Sequence, residues 1–153
     1  MTPILIISTL ILAVFLVQLV RIDLKSYRLP DIYTLPLVAL GIGVNAVLQW
    51  AVPTQSLWGA AVGFAVFWLI GAVFYRLYHH EGLGLGDAKL FAAAGAWLGV
   101  ALLPYVLLIA ACSALIFAVV TGKNRESPIA FGPWLALGFL IGWGLKLANA
   151  DFG

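Results

Sequence analysis

Carboxylates are the side chains of this sequence that could carry acid and base chemistry, and only six acidic residues are present. Two of them, Glu126 and Asp151, are interpreted as solvated surface charges. The other four lie in or beside two polar connections between apolar runs: Asp23, Asp31, Glu81 and Asp87.

Two carboxylates that meet in a partly desolvated site hold one proton between them, because like charge and burial both raise a carboxyl pKa. The ionised partner can then accept a proton from water while the neutral partner polarises a carbonyl, which is the aspartic-protease route to amide hydrolysis. Such a pair titrates as a unit, so the base is not assigned to one residue. Residue types alone leave open whether Asp23 or Asp31 is the partner of Asp87.

The stretch "GLGLGDAKLF", residues 82–91, places Asp87 directly before an apolar segment. Gly84 and Gly86 permit backbone conformations and close approaches that other residues do not, which would suit a peptide laid beside the acid. Alternatively, Asp87 caps the following helix and the glycines only make the turn. The two interpretations are compatible.

Histidine and cysteine do not indicate a metal site. His79 and His80 are adjacent, so on a helix they would diverge by about 100° and chelate poorly. The single cysteine, Cys112, lies within an apolar run and allows neither a disulfide framework nor a cysteine-based zinc site. We therefore expect neither metal nor cofactor.

The amino-acid composition predicts the class of protein in which the carboxylates are held. The chain is 64% hydrophobic and 9% charged, against about 45–50% and about 25% in soluble domains. The sequence therefore predicts a protein embedded in the lipid bilayer. A formal charge of +2 without a long basic block argues against nucleic acid as a partner.

Apolar length predicts an all-α, polytopic membrane protein, a bundle of about six transmembrane helices in a single domain spanning residues 1–153. The first helix is expected to continue past its apolar run and to hold Asp23 in its last turns. The fourth span is short and rich in alanine and glycine, so we expect it inside the bundle. The predicted spans are 3–21, 35–52, 57–78, 88–101, 103–121 and 130–149.

Lysine and arginine predict the orientation, since they are retained on the cytoplasmic side of a membrane. Seven of the eight cations lie at connections one, three and five, and Lys146 falls on the other side. Both termini are therefore expected outside the cytosol. Asp23 and Asp87 both adjoin odd-numbered connections, so they share a membrane face whichever way the chain is inserted. The seven are Arg21, Lys25, Arg28, Arg76, Lys89, Lys123 and Arg125.

Three motifs resemble a known family. The segment "GLGLGDAKL" is similar to the G-x-G-D motif of membrane aspartic peptidases, extended by a lysine as in type IV prepilin peptidases. That family also has an aspartate that ends an early span and a proline-aspartate turn, as in "IDLKSYRLPDIYTLPL", and a late F-G-P element, as in "IAFGPWLALG". Their order and their spread over nearly the whole chain are more specific than G-x-G-D alone.

The resemblance implies site residues that spacing leaves open. Asp23 and Asp87 correspond to the catalytic pair of an aspartic-type endopeptidase. Gly84, Gly86 and Lys89 match motif positions and are expected to bind substrate, while Asp31 corresponds to a non-catalytic turn residue.

The resemblance also implies a bacterial inner-membrane protein of a type IV pilus or protein-secretion system. The family removes the short basic leader of prepilins or prepilin-like proteins at the cytoplasmic face, so the expected partners are such a substrate and the bilayer. Longer members carry an N-terminal segment with paired cysteines and also methylate the product. Neither feature is seen in this sequence, and methyltransferase activity is not expected. The alternative is a small proton-coupled transporter or channel that uses boundary carboxylates.

Overall fold

The computed structural model describes residues 3–49, 52–78, 84–122 and 130–151. Within these ranges the chain is helical and contains no strand, so the predicted all-α fold is confirmed. His79, His80, Glu81, Lys123, Arg125 and Glu126 fall outside the described residues. The α-helices are α1 (Pro3–Ser26), α2 (Asp31–Gln49), α3 (Thr54–Tyr78), α4 (Leu85–Leu98), α5 (Leu103–Val120) and α6 (Gly132–Asp151), with a 3-10 turn at Val100–Leu102.

In the part of the chain that the structure describes, four segments are long and apolar enough to cross a membrane, and the protein is a multi-pass membrane protein. Their outward faces carry many exposed leucine, isoleucine and valine side chains, which are the surface that lipid would cover. The four segments are Pro3–Ser26, Asp31–Gln49, Thr54–Leu77 and Val100–Val120.

Helix α4 lies in the middle of the bundle, packed mainly on α3 and α2 and also on α6. All side chains from Leu90 to Leu98 are buried. Its 14 residues extend about 21 Å, which is too short for a hydrocarbon core of about 30 Å. The expectation of a short fourth helix inside the bundle is confirmed.

Small residues allow α3 and α4 to approach closely. Gly59 and Gly63 are one helical turn apart on α3, and Gly95 on α4 faces Gly59. A Cβ at Gly59 would overlap the carbonyl oxygen of Gly95, and a Cβ at Gly63 would lie 2.8 Å from the carbonyl oxygen of Phe91. This is the small-residue packing that holds helices together in lipid.

Side chains of other helices satisfy the last carbonyls of α4. The Asn45 amide donates to the carbonyl oxygens of Ala96 and Trp97 at 3.0 and 3.1 Å. The Lys146 ammonium donates to the carbonyl oxygen of Trp97 and, at 2.8 Å, to Asn45 Oδ1. Because a helix that ends within a bilayer has no water for these acceptors, Asn45 and Lys146 take its place.

The helix boundaries can be compared with the predicted apolar spans. Helix α1 extends to Ser26, five residues beyond the apolar run, and holds Asp23 in its last turn as expected. Helix α4 begins at Leu85 and stops before Gly99, whose φ of +85° breaks the helix. Apolar length marks where side chains meet lipid, whereas the backbone can remain helical beyond it.

Candidate active site

Asp23 is almost fully buried, with 4% of its surface exposed. The backbone N–H of Gly132, the first residue of α6, donates to Asp23 Oδ2 at 3.0 Å. The positive end of the α6 dipole therefore faces this carboxylate.

Gly132 leaves no room for a side chain beside Asp23. A Cβ at this position would lie 2.6 Å from Asp23 Oδ2 and 3.0 Å from Asp23 Cγ. The absence of a side chain lets the α6 backbone approach the carboxylate and bind it directly.

Asp87 is the third residue of α4, and Gly84 is the N-cap residue. The Asp87 carboxylate accepts a hydrogen bond from the Gly84 backbone N–H, which lowers its pKa. Burial has the larger effect, followed by the negative charge of Asp23, and the pKa of the Asp87 carboxyl rises to about 7. The Asp87 side chain therefore also caps the N-terminus of α4, because its carboxylate accepts a hydrogen bond from the backbone of the N-cap residue.

One cavity of about 670 Å³ brings the two carboxylates together. It lies where the end of α1, the α1–α2 connection, the C-terminal part of α3 and the start of α4 meet. The structure places all the candidate site residues on its lining: Asp23, Asp87, Gly84, Gly86 and Lys89.

The two motif glycines occupy different surroundings. A Cβ at Gly86 would lie 2.8 Å from the Leu29 Cβ, so the α1–α2 connection fills the space beside this glycine. A Cβ at Gly84 would meet its nearest atom, Asp87 Oδ2, only at 3.8 Å. Among the described residues, the open side of the motif is therefore at Gly84.

Lys89 forms an ion pair with Asp31, the first residue of α2. The side chains of Lys89 and Asp31 are 25% and 57% exposed, respectively. The pair links the N-terminus of α2 to the first turns of α4. Asp31 is thus exposed and paired with Lys89, whereas Asp23 is buried and hydrogen-bonded to α6.

Sequence reasoning missed two contributors to the site. The sequence identified the F-G-P element as a motif but did not predict which residue it contacts. In the structure the backbone N–H of its glycine, Gly132, donates to Asp23 Oδ2. Tyr27 lines the cavity and has a φ of +52°, a left-handed conformation that is rare for a tyrosine and that ends α1. The Tyr27 N–H donates to the carbonyl oxygen of Asp23 at 2.8 Å.

Comparison with known proteins gives matches to one family. Residues 10–119 match the type IV leader peptidase family. A prepilin leader peptidase/N-methyltransferase from Escherichia coli K12 is 42% identical over 133 residues, covering 85% of this chain and 59% of that relative. The proteins of the same description from Xanthomonas campestris pv. campestris and Neisseria gonorrhoeae are 41% and 40% identical over 141 residues, covering 89% and 92% of this chain.

The chain spans about half the length of these curated relatives, namely 59%, 48% and 48% of the three. No solved structure was found to match the chain.

Proposed function

Because the chain belongs to the type IV leader peptidase family, we propose that it is an aspartic endopeptidase that removes the leader of a prepilin or prepilin-like protein. The observation that carries the proposal is the presence of Asp23 and Asp87 on one cavity, with Asp23 buried and Asp87 partly buried. Gly84, Gly86 and Lys89 are proposed to hold the substrate there.

In the proposed reaction the two carboxylates hold one proton between them near neutral pH. Burial and the negative charge of Asp23 favour the protonated form of Asp87, and the base is not assigned to one residue because the pair titrates as a unit. The ionised carboxylate accepts a proton from water as the water oxygen attacks the scissile carbonyl carbon. The protonated carboxyl donates to the carbonyl oxygen. Return of a proton to the leaving amine accompanies cleavage of the C–N bond.

We propose that the cavity opens on the cytoplasmic side of a bacterial inner membrane. The excess of lysine and arginine at the connections on the cavity side supports this orientation. A substrate would then lie with its leader toward the cytosol and its apolar helix beside the bundle.

The test is cleavage of candidate prepilins by membranes that contain this protein, followed by N-terminal sequencing of the product. Separate Asp23→Asn and Asp87→Asn variants are expected to lose cleavage by at least 1,000-fold, since members of a catalytic pair are each indispensable. Asp31→Asn is the chemically matched control and is expected to lose less than tenfold.

Stable and correctly inserted Asp23→Asn and Asp87→Asn variants that still process a prepilin would contradict the proposal. A proton-coupled transporter, the alternative, would instead show proton uptake in vesicles without a cleaved product. Family membership favours peptidase chemistry over transport.

A further inference from the structure

Tyr27 combines an unusual backbone conformation with a place on the carboxylate cavity. Its φ is +52°, and within the described part of the chain it is the non-glycine residue with a positive φ. It directly follows Ser26, the last residue of α1. Helices commonly end on a residue in this left-handed conformation, and glycine is the usual choice because a Cβ is strained there. The turn alone therefore does not explain a tyrosine at this position.

The backbone contact of Tyr27 does not require the tyrosine side chain. The Tyr27 N–H donates to the carbonyl oxygen of Asp23 at 2.8 Å and closes the last turn of α1. Glycine would make the same hydrogen bond without steric strain. Packing explains the side chain only in part, because 53% of the residue is exposed. A strained conformation that the local fold does not need is typical of functional sites.

Tyr27 lines the cavity that also contains Asp23 and Asp87. It lies four residues after Asp23 and beyond the end of α1, so it is on the loop side of that carboxylate. A phenol combines a flat apolar ring with a hydroxyl that both donates and accepts hydrogen bonds. The cavity therefore has an amphipathic group at its polar end, next to the carboxylates.

An extended peptide is the occupant that fits this arrangement. A peptide that lies across the two carboxylates is unfolded locally, so its backbone N–H and C=O groups have lost their helical partners. The Tyr27 hydroxyl can donate to such a carbonyl while its ring lies against the chain. A lipid tail, by contrast, offers no hydrogen-bonding group to a phenol.

Resting on the proposed function, we propose that Tyr27 is a substrate-binding residue whose hydroxyl donates a hydrogen bond to a backbone carbonyl of the leader, close to the scissile bond. The leader side follows from the position of Tyr27 beyond the end of α1, because the apolar part of the substrate continues in the opposite direction, into the bilayer. Since the acceptor is a backbone group, the contact is the same for leaders of different sequence.

The first test measures KM and kcat for one prepilin. Tyr27→Phe should raise KM about fivefold and leave kcat within about twofold, since one neutral hydrogen bond made equally to bound substrate and transition state is lost. Tyr105→Phe is the matched control, because Tyr105 is also exposed but does not line the cavity. It should change neither constant. An unchanged KM in Tyr27→Phe, or a fall in kcat in its place, would overturn the proposal.

Tyr27→Gly separates substrate binding from a role in folding. It removes the ring as well as the hydroxyl and should raise KM by at least about 20-fold. Its Tm should stay the same or increase, because glycine adopts the left-handed conformation without strain. A marked loss of Tm would show that the fold requires the side chain, and the proposal would then be wrong.

A crosslinking test locates the contact without relying on turnover. Tyr27→Cys is combined with Asp87→Asn, which keeps the substrate intact, and with Cys112→Ala, which removes the native thiol. The prepilins carry a single cysteine either in the leader or in the mature apolar helix, and disulfide formation is measured under a mild oxidant. Crosslinks are expected for leader positions next to the scissile bond. Crosslinks confined to the mature helix, or none at all, would overturn the assignment.

Failure of this inference can be distinguished from failure of the proposed function. If the wild-type protein cleaves no prepilin, the proposed function fails and the role of Tyr27 fails with it. If the wild-type protein cleaves and Asp23→Asn abolishes cleavage, while Tyr27→Phe keeps the wild-type KM, only the role of Tyr27 is wrong.

Discussion

Replacing Gly132 with alanine tests the hydrogen bond between α6 and Asp23. The added Cβ would lie 2.6 Å from Asp23 Oδ2, while ordinary van der Waals contact begins at 3.4 Å, so the oxygen must retreat by about 0.8 Å. A displacement near 1 Å in a catalytic group costs about 100-fold in rate, which corresponds to about 2.7 kcal/mol of activation free energy. We therefore expect Gly132→Ala to lower prepilin cleavage about 100-fold.

The assay is the initial rate of cleavage by purified protein in liposomes, with thermal unfolding measured in parallel. Gly144→Ala is the control on the same helix, because no atom lies within 4 Å of the Cβ that it would add. It should retain activity within about twofold. It should not destabilise α6, because alanine is a better helix former than glycine by about 1 kcal/mol. Equal activity of the two folded variants would refute the conclusion that the start of α6 positions Asp23.

Three further predictions concern the same bundle. Gly86→Ala should lower cleavage about tenfold by displacing Leu29, whose Cβ would be 2.8 Å from the new Cβ, whereas Gly84→Ala should stay within about threefold. Burial raises the pKa of Asp87 from 3.8 to about 7, so the folded protein holds a proton that the unfolded chain releases. Stability, measured by thermal melts, should therefore fall between about pH 4 and pH 7, and Asp87→Asn should reduce this slope. In a pH–rate profile, kcat/KM should decline above pH 7. Lys146→Met removes two hydrogen bonds and should lower the free energy of unfolding, measured by chemical denaturation, by about 1–3 kcal/mol. It should leave the pH dependence of kcat/KM unchanged.

The helices could be predicted because bilayer thickness imposes a length on apolar runs. All six appear near their expected places, and the unusual composition of the fourth correctly indicated burial. The helix ends were predicted less closely, since α2 begins at Asp31 and not at residue 35, and α4 begins at Leu85 and not at residue 88. The continuation of α1 to Ser26 was expected, because backbone hydrogen bonds do not depend on side-chain polarity.

Part of the site could be inferred from chain topology. Asp23 and Asp87 both adjoin odd-numbered connections between helices, which predicted that they lie on one membrane face. The motif resemblance then selected Asp23 over Asp31. The donor to Asp23 was not predictable in this way. It is a backbone N–H of Gly132, 109 positions away, and a backbone group leaves no side-chain signature in the sequence. Lys146 was noted only as a cation on the far side, because its hydrogen bonds to Asn45 and the end of α4 depend on tertiary packing.

The burial of α4 gives the two carboxylates different mechanical surroundings. Asp87 stands on a helix enclosed by protein, while Asp23 stands on α1, a membrane-crossing helix with an extensive outward face. Membrane-crossing helices can tilt to accommodate a change in bilayer thickness, so we expect such a change to act on α1 more than on α4. The hydrogen bond from the Gly132 N–H ties Asp23 on α1 to the start of α6.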